Sequence, residues 1–248
     1  MNIVLTICAV IAAVITAGIW WWRMKVGQEL GLMRATETAS ARDIPGKAEG
    51  TLVELKGPVR ASELIVGEFS GKEAVYVRSL TEREVETTGT DSDGKSKRER
   101  RYETVTDLKR NAPAELEDAT GRVRLAFEGA DVEALQVHQR YEAEQGIGNL
   151  VGALLGSTGS IRGHRYTEWI IEAGVPVYVL GSVVGGAIGK DPAGKNPFVI
   201  SIKSEEERER SLGTTRMWLL VAAVVTALLA LMFLYFALTV GPTGAGNT

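Results

Sequence analysis

Residues 217–240 read MWLLVAAVVTALLALMFLYFALTV, and this stretch decides the fold class. It carries no charged residue, and as a helix with ~1.5 Å of rise per residue it is long enough to cross ~30 Å of hydrocarbon. Core helices of soluble proteins that reach this length usually keep a polar face, so the sequence predicts a transmembrane helix here. Trp218 near its start and Tyr235 near its end lie where aromatic rings favour the headgroup level of a membrane.

A second uncharged apolar run covers residues 3–22. Its alternative interpretation is a cleaved signal peptide, which has a basic segment in front and a small-residue cleavage site behind. Here no Lys or Arg precedes the run, and three tryptophans followed by cations end it, as in a helix that stays in the membrane. We therefore predict a second transmembrane helix. The predicted membrane-interface residues are Trp20, Trp21, Trp22, Arg23 and Trp218.

The cations near the two spans predict the orientation. Those that follow the first span or precede the second are Arg23, Lys25, Arg34, Lys203, Arg208, Arg210 and Arg216. Because Lys and Arg near helix ends stay on the cytoplasmic side, we expect a cytoplasmic middle region with both short termini outside. The expected location is a prokaryotic cell membrane, as a multi-pass protein. The predicted organisation is a helix at 3–22, a juxtamembrane stalk at 23–44, a domain at 45–203, a connecting helix at 204–216, a helix at 217–240 and a tail at 241–248.

Composition limits the function classes. The chain has 248 residues, a net charge of -3 and a pI near 5.6. A nucleic-acid-binding protein normally has a clear basic excess, so we expect no nucleic-acid partner. The one cysteine, Cys8, lies in the first apolar run, so no disulfide can form within the chain. The region between the spans is large enough for one domain with a core, or for two small ones.

Short alternating segments between turn residues predict a mainly β middle domain, a small barrel or sandwich, and hence an α+β membrane protein. The segments read as strands are 50–56, 74–79, 83–87, 102–106, 121–127, 176–184 and 198–202. Residues 88–101 contain no apolar side chain, and we expect a long hairpin loop there. Its cations at 95, 97, 98, 100 and 101 either bind anionic headgroups or form a solvated loop tip.

Three other segments have less regular patterns. Residues 131–146 are polar and free of glycine until their end, which predicts a short helix. Residues 147–163 place an apolar stripe among glycines, and this segment either lies in the membrane interface or packs on the sheet. Residues 185–195 are rich in glycine and are expected to form a turn. Ser204 and Glu207 fit a capping box that opens the connecting helix.

The sequence contains few groups suited to catalysis near neutral pH. Its histidines are His138 and His164, and no Cys/His spacing fits a zinc site. The glycine-rich segments fail the dinucleotide, phosphate-loop and nucleophile-elbow patterns. Glu168 and Glu172 are expected to be exposed at the end of a sheet. We predict no catalytic residue, no metal and no cofactor.

The stretch EWIIEAGVPVYVLG at 168–181 resembles the GIDE family, also called the BAM (beside a membrane) domain, of the mitochondrial MULAN/MAPL ubiquitin ligases. Other pieces agree in order: PGK at 45–47, LKGPVR at 55–60, AVYV at 74–77, DATG at 118–121 and PFVIS at 197–201. The residues singled out by this resemblance, as structural or partner-binding positions, are Glu168, Gly174, Tyr178, Gly181 and Pro197.

The resemblance implies a GIDE/BAM-like domain held beside a membrane by two helices and used for binding, organelle organisation or signalling. In the eukaryotic members a C-terminal RING supplies ubiquitin ligase activity, and the middle domain faces the intermembrane space. A RING binds zinc through about four Cys and His ligands per ion, whereas this chain has one Cys and two His in all.

We therefore expect a binding or scaffold module without a recognisable active site. Its expected partners are the lipid bilayer and an unidentified protein, and homo-oligomerisation stays open. The alternative is a component of a RING-type ubiquitin-protein ligase system whose RING is absent from this chain.

Overall fold

A computed structural model of the protein describes residues 3–90, 96–144 and 159–239. The chain divides into two compact units. One is formed by its two ends, Met1–Glu37 and Ser204–Thr248, and the other is the middle region, Thr38–Lys203.

The first unit consists of two long helices, α1 at Ile3–Ala35 and α2 at Glu205–Thr239. Both are long and apolar enough to cross a membrane, and only 6% of each apolar window is buried, unlike the core helix of a soluble protein. Thr16 Oγ1 donates to Thr226 Oγ1 at 2.9 Å, and Arg34 Nε lies 3.1 Å from Glu209 Oε1. Since residue numbers rise along one helix as they fall along the other, the helices are antiparallel.

The start of α2 has the chemistry that its sequence predicts. Ser204 Oγ accepts a hydrogen bond from the N–H of Glu207 at 3.2 Å, as an N-cap side chain does. The first turn also holds three glutamates, which complement the positive end of the helix dipole. From there α2 continues through Gly213 without interruption, so one helix covers both the predicted connecting helix and the predicted span.

The middle unit contains a short 3₁₀ helix at Ala41–Gly46 and thirteen described strands. The strands are β1 Leu52–Ala61, β2 Ile65–Val66, β3 Glu73–Ala74, β4 Tyr76–Thr90, β5 Ser96–Asn111, β6 Ala114–Asp118, β7 Gly121–Leu125, β8 Asp131–Glu133, β9 Leu135–Ala143, β10 Gly159–Ile171, β11 Pro176–Val184, β12 Ala187–Gly189 and β13 Val199–Ser201.

Five of these strands close into a barrel in the order β1, β6, β7, β12, β11 and back to β1. β1 pairs with β11 along Leu52–Pro58 and with β6 from Val59 onward. The contact between β7 and β12 is parallel, and the other four contacts are antiparallel. This strand order and the one parallel closure are those of an OB-type barrel. β13 and β8 extend the sheet beyond β11.

The barrel core follows from alternation along its strands. Val53 and Leu55 of β1, Val123 and Leu125 of β7, and Ile188 of β12 are all at most 4% exposed. β11 is buried on both faces, which explains its continuous apolar sequence. The 3₁₀ helix adds its own buried apolar residues to this core.

A second sheet is built from two insertions in the barrel. Its order is β5, β4, β10, β9, and all its contacts are antiparallel. β4 and β5 enter between the first two barrel strands, and β9 and β10 enter between the third and fourth. The β4–β5 register runs from Tyr76↔Asn111 to Thr90↔Ser96. The sheet therefore brings together residues that are distant in sequence.

Several predictions of local structure were wrong. Residues 131–133 and 135–143 form β8 and β9, because cross-strand pairing with β13 and β10, respectively, outweighs their weak helical pattern. Residues 88–90 and 96–101 continue β4 and β5, so the predicted long loop is mostly strand. Residues 185–195 contain β12, the strand that closes the barrel. Of the segment 147–163, residues 159–163 belong to β10, and the rest lies outside the described residues.

Candidate functional site

Glu168 lies wholly buried in β10, and its carboxylate holds the turn between β2 and β3 against the second sheet. Oε1 accepts hydrogen bonds from the N–H of Phe69 at 3.0 Å and from Ser79 Oγ at 3.0 Å. Oε2 accepts from the N–H of Ser70 at 2.9 Å and from the Ser70 hydroxyl. The expectation that Glu168 is exposed at the end of a sheet was therefore wrong.

The electrostatics of this contact favour the charged carboxylate. Burial by itself raises the pKa of Glu168, but the hydrogen bonds from Ser70, Phe69 and Ser79 outweigh burial and hold this pKa below its usual value. Because both oxygens are occupied by donors of the protein itself, Glu168 is not placed to take a proton from a substrate. Its role is to position the turn.

The β2–β3 turn has the glycines that this contact requires. A Cβ at Gly67 would lie 2.5 Å from Glu168 Oε2 and 2.6 Å from Ser70 Oγ, so a side chain there would displace the carboxylate. Gly71 has a φ of +67°, a conformation that glycine adopts at little cost. Sequence reasoning did not single out this turn, although its glycines and Ser70 were the available signal.

The anchored turn places Phe69 over the second sheet, where it forms one wall of a small groove. The Phe69 ring meets Tyr166 of β10 edge-on, with centroids 5.4 Å apart, and lies 6.1 Å from the ring of His138 of β9. Arg140 and Glu142 continue the lining along β9, and the groove encloses about 180 Å³. We call these five residues the β9 groove.

Both histidines of the chain lie at or next to the β9 groove. His164 has its ring 6.4 Å from Tyr166, and its Nδ1 lies 3.8 Å from Glu144 Oε2. Imidazole, phenol and guanidinium groups can stack on a ligand and donate hydrogen bonds to it. No group of three or more His, Cys, Asp or Glu residues suited to a metal ion occurs within the described part of the chain.

The edge of the sheet adds backbone groups to the same site. In the described sheet β9 pairs on one side only, with β10. Seven of its nine residues are exposed. The outer edge of a terminal strand carries N–H and C=O groups that can pair with another extended chain. The β9 groove and this edge therefore form one candidate binding surface.

A polar cluster lies farther along the second sheet. Glu84 and Glu86 of β4 are both under 9% exposed. Tyr141 donates its hydroxyl to Glu84 at 2.6 Å, and Glu86 lies 2.9 Å from Arg100 and 2.5 Å from Arg162. The hydrogen bond from Arg162 lowers the pKa of Glu86. These contacts stabilise the long strands, and they explain why such polar sequence forms sheet.

Comparison with known proteins identifies the family. The GIDE family model, described as "E3 Ubiquitin ligase", matches residues 83–235. That match covers more than half of the chain. The chain belongs to the GIDE family. No curated protein and no solved structure matches it significantly.

The GIDE match confirms the family resemblance seen in the sequence. It begins inside β4 and ends inside α2, so it contains Glu168, the β9 side of the groove and all four other motif residues. The β2–β3 turn with Phe69 lies before the matched region. In this GIDE chain the Phe69 wall of the groove therefore comes from outside the range that the family model matches, and the other four groove residues come from within it.

The other motif residues lie in the barrel and in its connections. Gly174 has a φ of +85° in the turn before β11, and its N–H donates to the carbonyl of Val59 at 2.8 Å. Tyr178 is 2% exposed, and its hydroxyl donates to the buried Glu54 at 3.2 Å. A Cβ at Gly181 would lie 2.7 Å from the ring of Phe198. Pro197 is half-buried immediately before Phe198. The structure therefore brings Glu168 to the groove and leaves the other four outside it.

The predicted membrane-interface residues lie on the two helices. Trp20, Trp21 and Trp22 are between 48% and 64% exposed, and Trp218 is 63% exposed. The Arg23 guanidinium lies 5.2 Å from a Trp20 ring centroid, within cation–π range. Exposed tryptophans beside cations suit a membrane surface.

Proposed function

We propose that this GIDE chain is a membrane-anchored binding module that takes an extended segment of a partner protein along β9. The observation that carries the proposal is that the β9 edge, which is unpaired within the described residues, lies beside the β9 groove. An added strand gains affinity from main-chain hydrogen bonds and specificity from pockets for alternate side chains.

The side chains along β9 fit this mode of recognition. His138, Arg140 and Glu142 occupy alternate positions and line the same groove. Phe69 and Tyr166 offer ring faces to an apolar or aromatic side chain of the partner. Because Glu168 fixes the backbone of Phe69, this wall is preorganised, which reduces the entropy lost on binding.

The two apolar helices support a role at a membrane. Their length and exposure fit a two-span anchor. We propose further that the middle unit is cytoplasmic, since the cations that flank the two spans follow the first span and precede the second.

Site-specific photocrosslinking tests the proposed binding surface. A photoreactive amino acid replaces Arg140 in the groove or, as control, the exposed Glu128 of the barrel, in the full chain in its native membrane. We expect one defined protein adduct at 140, none at 128, and loss of the adduct when Phe69→Ala is added. Equal adducts at both positions, or an adduct at 140 that Phe69→Ala leaves unchanged, would contradict the proposal. An adduct with a second copy of this chain would identify the partner as that copy and the protein as a homo-oligomer.

A second candidate function is that of a component in a ubiquitin ligase system. The description of the matched family as an E3 ubiquitin ligase favours it. These 248 residues hold too few Cys and His side chains for a RING, so a RING outside them would have to supply ubiquitin transfer. Reconstitution with ubiquitin, activating enzyme and conjugating enzyme tests this. Ubiquitin chains that require this protein, and that appear only with an added RING subunit, would support the second function.

A further inference from the structure

A second cleft lies on the barrel, away from the β9 groove. It has a volume of about 650 Å³ and is lined by the ends of β1 and β6, by β7, and by the β11–β12 turn. Three arginines, Arg60, Arg122 and Arg124, reach its surface. Small side chains, including Ala61, Ala114 and Ala187, leave room beside them.

Two of the arginines converge on a single carboxylate. Arg60 Nε lies 2.6 Å from Glu117 Oε2, and Arg122 approaches Glu117 Oε1 at 3.1 Å. Arg60 and Arg122 are 47% and 55% exposed at their side chains. Hydrogen bonds from Arg60 and Arg122 lower the pKa of Glu117. The two guanidinium groups are thus preset around one anion and remain open to solvent.

The third arginine, Arg124, lies across from Glu115 in the β6–β7 register. Arg124 donates to the carbonyl oxygen of Gly185 at 3.1 Å and forms no ion pair among the described residues. Glu115, which lines the cleft, lies 3.9 Å from Arg122, whereas Glu117 contacts Arg60 and Arg122 from outside the lining. Three guanidinium groups therefore face two carboxylates, and a ligand anion would meet a positive excess.

From this geometry we infer that the barrel cleft binds a phosphate ester carried on an apolar or aromatic body, with Glu117 holding the arginines in place until the ligand displaces it. Guanidinium forks match phosphate oxygens in bidentate geometry. The alanine-rich floor accepts the flat body of the ligand. The location agrees with this inference, because OB-type barrels bind ligands on the face of their second and third strands and at the flanking loops.

Calorimetric titration of the full chain in detergent micelles tests the inference. The probes are AMP, inorganic phosphate and adenosine. We expect saturable binding of AMP, competition by inorganic phosphate, and no binding of adenosine. Dihexanoyl phosphatidic acid is the lipid probe. If it binds more tightly than AMP, the phosphate ester belongs to a lipid headgroup. If AMP binds more tightly, the phosphate ester belongs to a soluble ligand.

Paired variants separate ligand contact from general charge. Arg122→Ala should weaken AMP at least about tenfold, since a bidentate contact to phosphate is lost. Glu117→Gln should tighten AMP several-fold, since it frees two guanidinium groups. The controls are Arg101→Ala and Glu103→Gln, because Glu103 also lies between two arginines but on the second sheet. Neither control should change AMP binding.

Three results would overturn the inference. They are no saturable binding of any phosphorylated probe at millimolar concentration, equal losses in Arg122→Ala and Arg101→Ala, and unchanged affinity in Glu117→Gln. Circular dichroism of each variant verifies its fold. Because the cleft shares no residue with the β9 groove, failure here leaves the crosslinking result at Arg140 unaffected.

Discussion

Ser79 and Glu168 are directly paired across β4 and β10, and the Ser79 hydroxyl donates to the Glu168 carboxylate at 3.0 Å with both residues at most 2% exposed. The same carboxylate accepts the N–H groups of Phe69 and Ser70 from a turn about a hundred residues earlier. One buried charge therefore joins the sheet to the wall of the proposed binding groove.

Replacing that charge should destabilise the middle unit. Glu168→Gln keeps the shape of the side chain but leaves buried N–H or O–H donors facing an amide, and we expect a loss of about 2–3 kcal/mol in the free energy of unfolding. Urea unfolding of the full chain in detergent measures it. The matched control is Glu172→Gln, since the Glu172 side chain is 45% exposed and its ion pair among the described residues is with Lys72 at 3.5 Å. Equal stability of the two variants would contradict the positioning role.

The same carboxylate predicts an acid-sensitive contact. Hydrogen bonds hold the pKa of Glu168 below its usual value against the opposing effect of burial. A group with a lowered folded pKa stabilises the fold above its unfolded pKa, about 4.3 for glutamate, and loses that contribution as pH falls through the folded pKa. Stability should therefore decline below about pH 4.3, and less steeply in Glu168→Gln. Thermal denaturation of both proteins across this pH range measures the change in stability. An equal loss of stability with falling pH in the two proteins would contradict the contribution of Glu168.

Gly181 should not tolerate a side chain. A Cβ there would lie 2.7 Å from the Phe198 ring and 3.0 Å from Ile188 in the barrel core. Gly181→Ala should cost about 1–3 kcal/mol of folding free energy through overpacking. The control is Gly46→Ala, where nothing lies within 4 Å of the added Cβ. A Gly181→Ala protein as stable as Gly46→Ala would show that the barrel relaxes around the methyl group.

The proposed orientation predicts a labelling pattern. In a Cys8→Ala background, cysteine is introduced at Glu63, an exposed residue of the middle unit, or at Thr243 in the tail. An impermeant thiol reagent added to intact cells should label the cysteine at 243 but not the one at 63, which should react only after permeabilisation. The reverse pattern would place the middle unit outside the cytoplasm.

The sequence was most informative where an element is uniform along its length. Residues 176–184 form β11 with the predicted bounds, because a continuous apolar run suits a strand buried on both faces. The apolar helices were predicted for the same reason. The outer part of the β4–β5 hairpin, residues 88–90 and 96–101, was predicted as loop because its polar residues are stabilised across strands, as in the Arg100–Glu86 pair at 2.9 Å. Local patterns do not reveal such partners.

The β9 groove was missed for a related reason. Phe69 belongs to a turn, and its neighbours His138 and Tyr166 follow only after long stretches of chain. The family resemblance drew attention to Glu168, but only the fold shows that its carboxylate faces inward to the turn. A site assembled by non-local pairing of two insertions leaves little trace in any one segment.

Hydrogen–deuterium exchange reports directly whether a partner segment pairs along β9. The full chain in nanodiscs is compared alone and bound to the partner captured at position 140. We predict slower exchange in β9 and in the β2–β3 turn when the partner is bound, because the β9 edge that is unpaired in the described part of the chain becomes hydrogen-bonded. Unchanged exchange in both segments, with protection elsewhere on the chain, would contradict it.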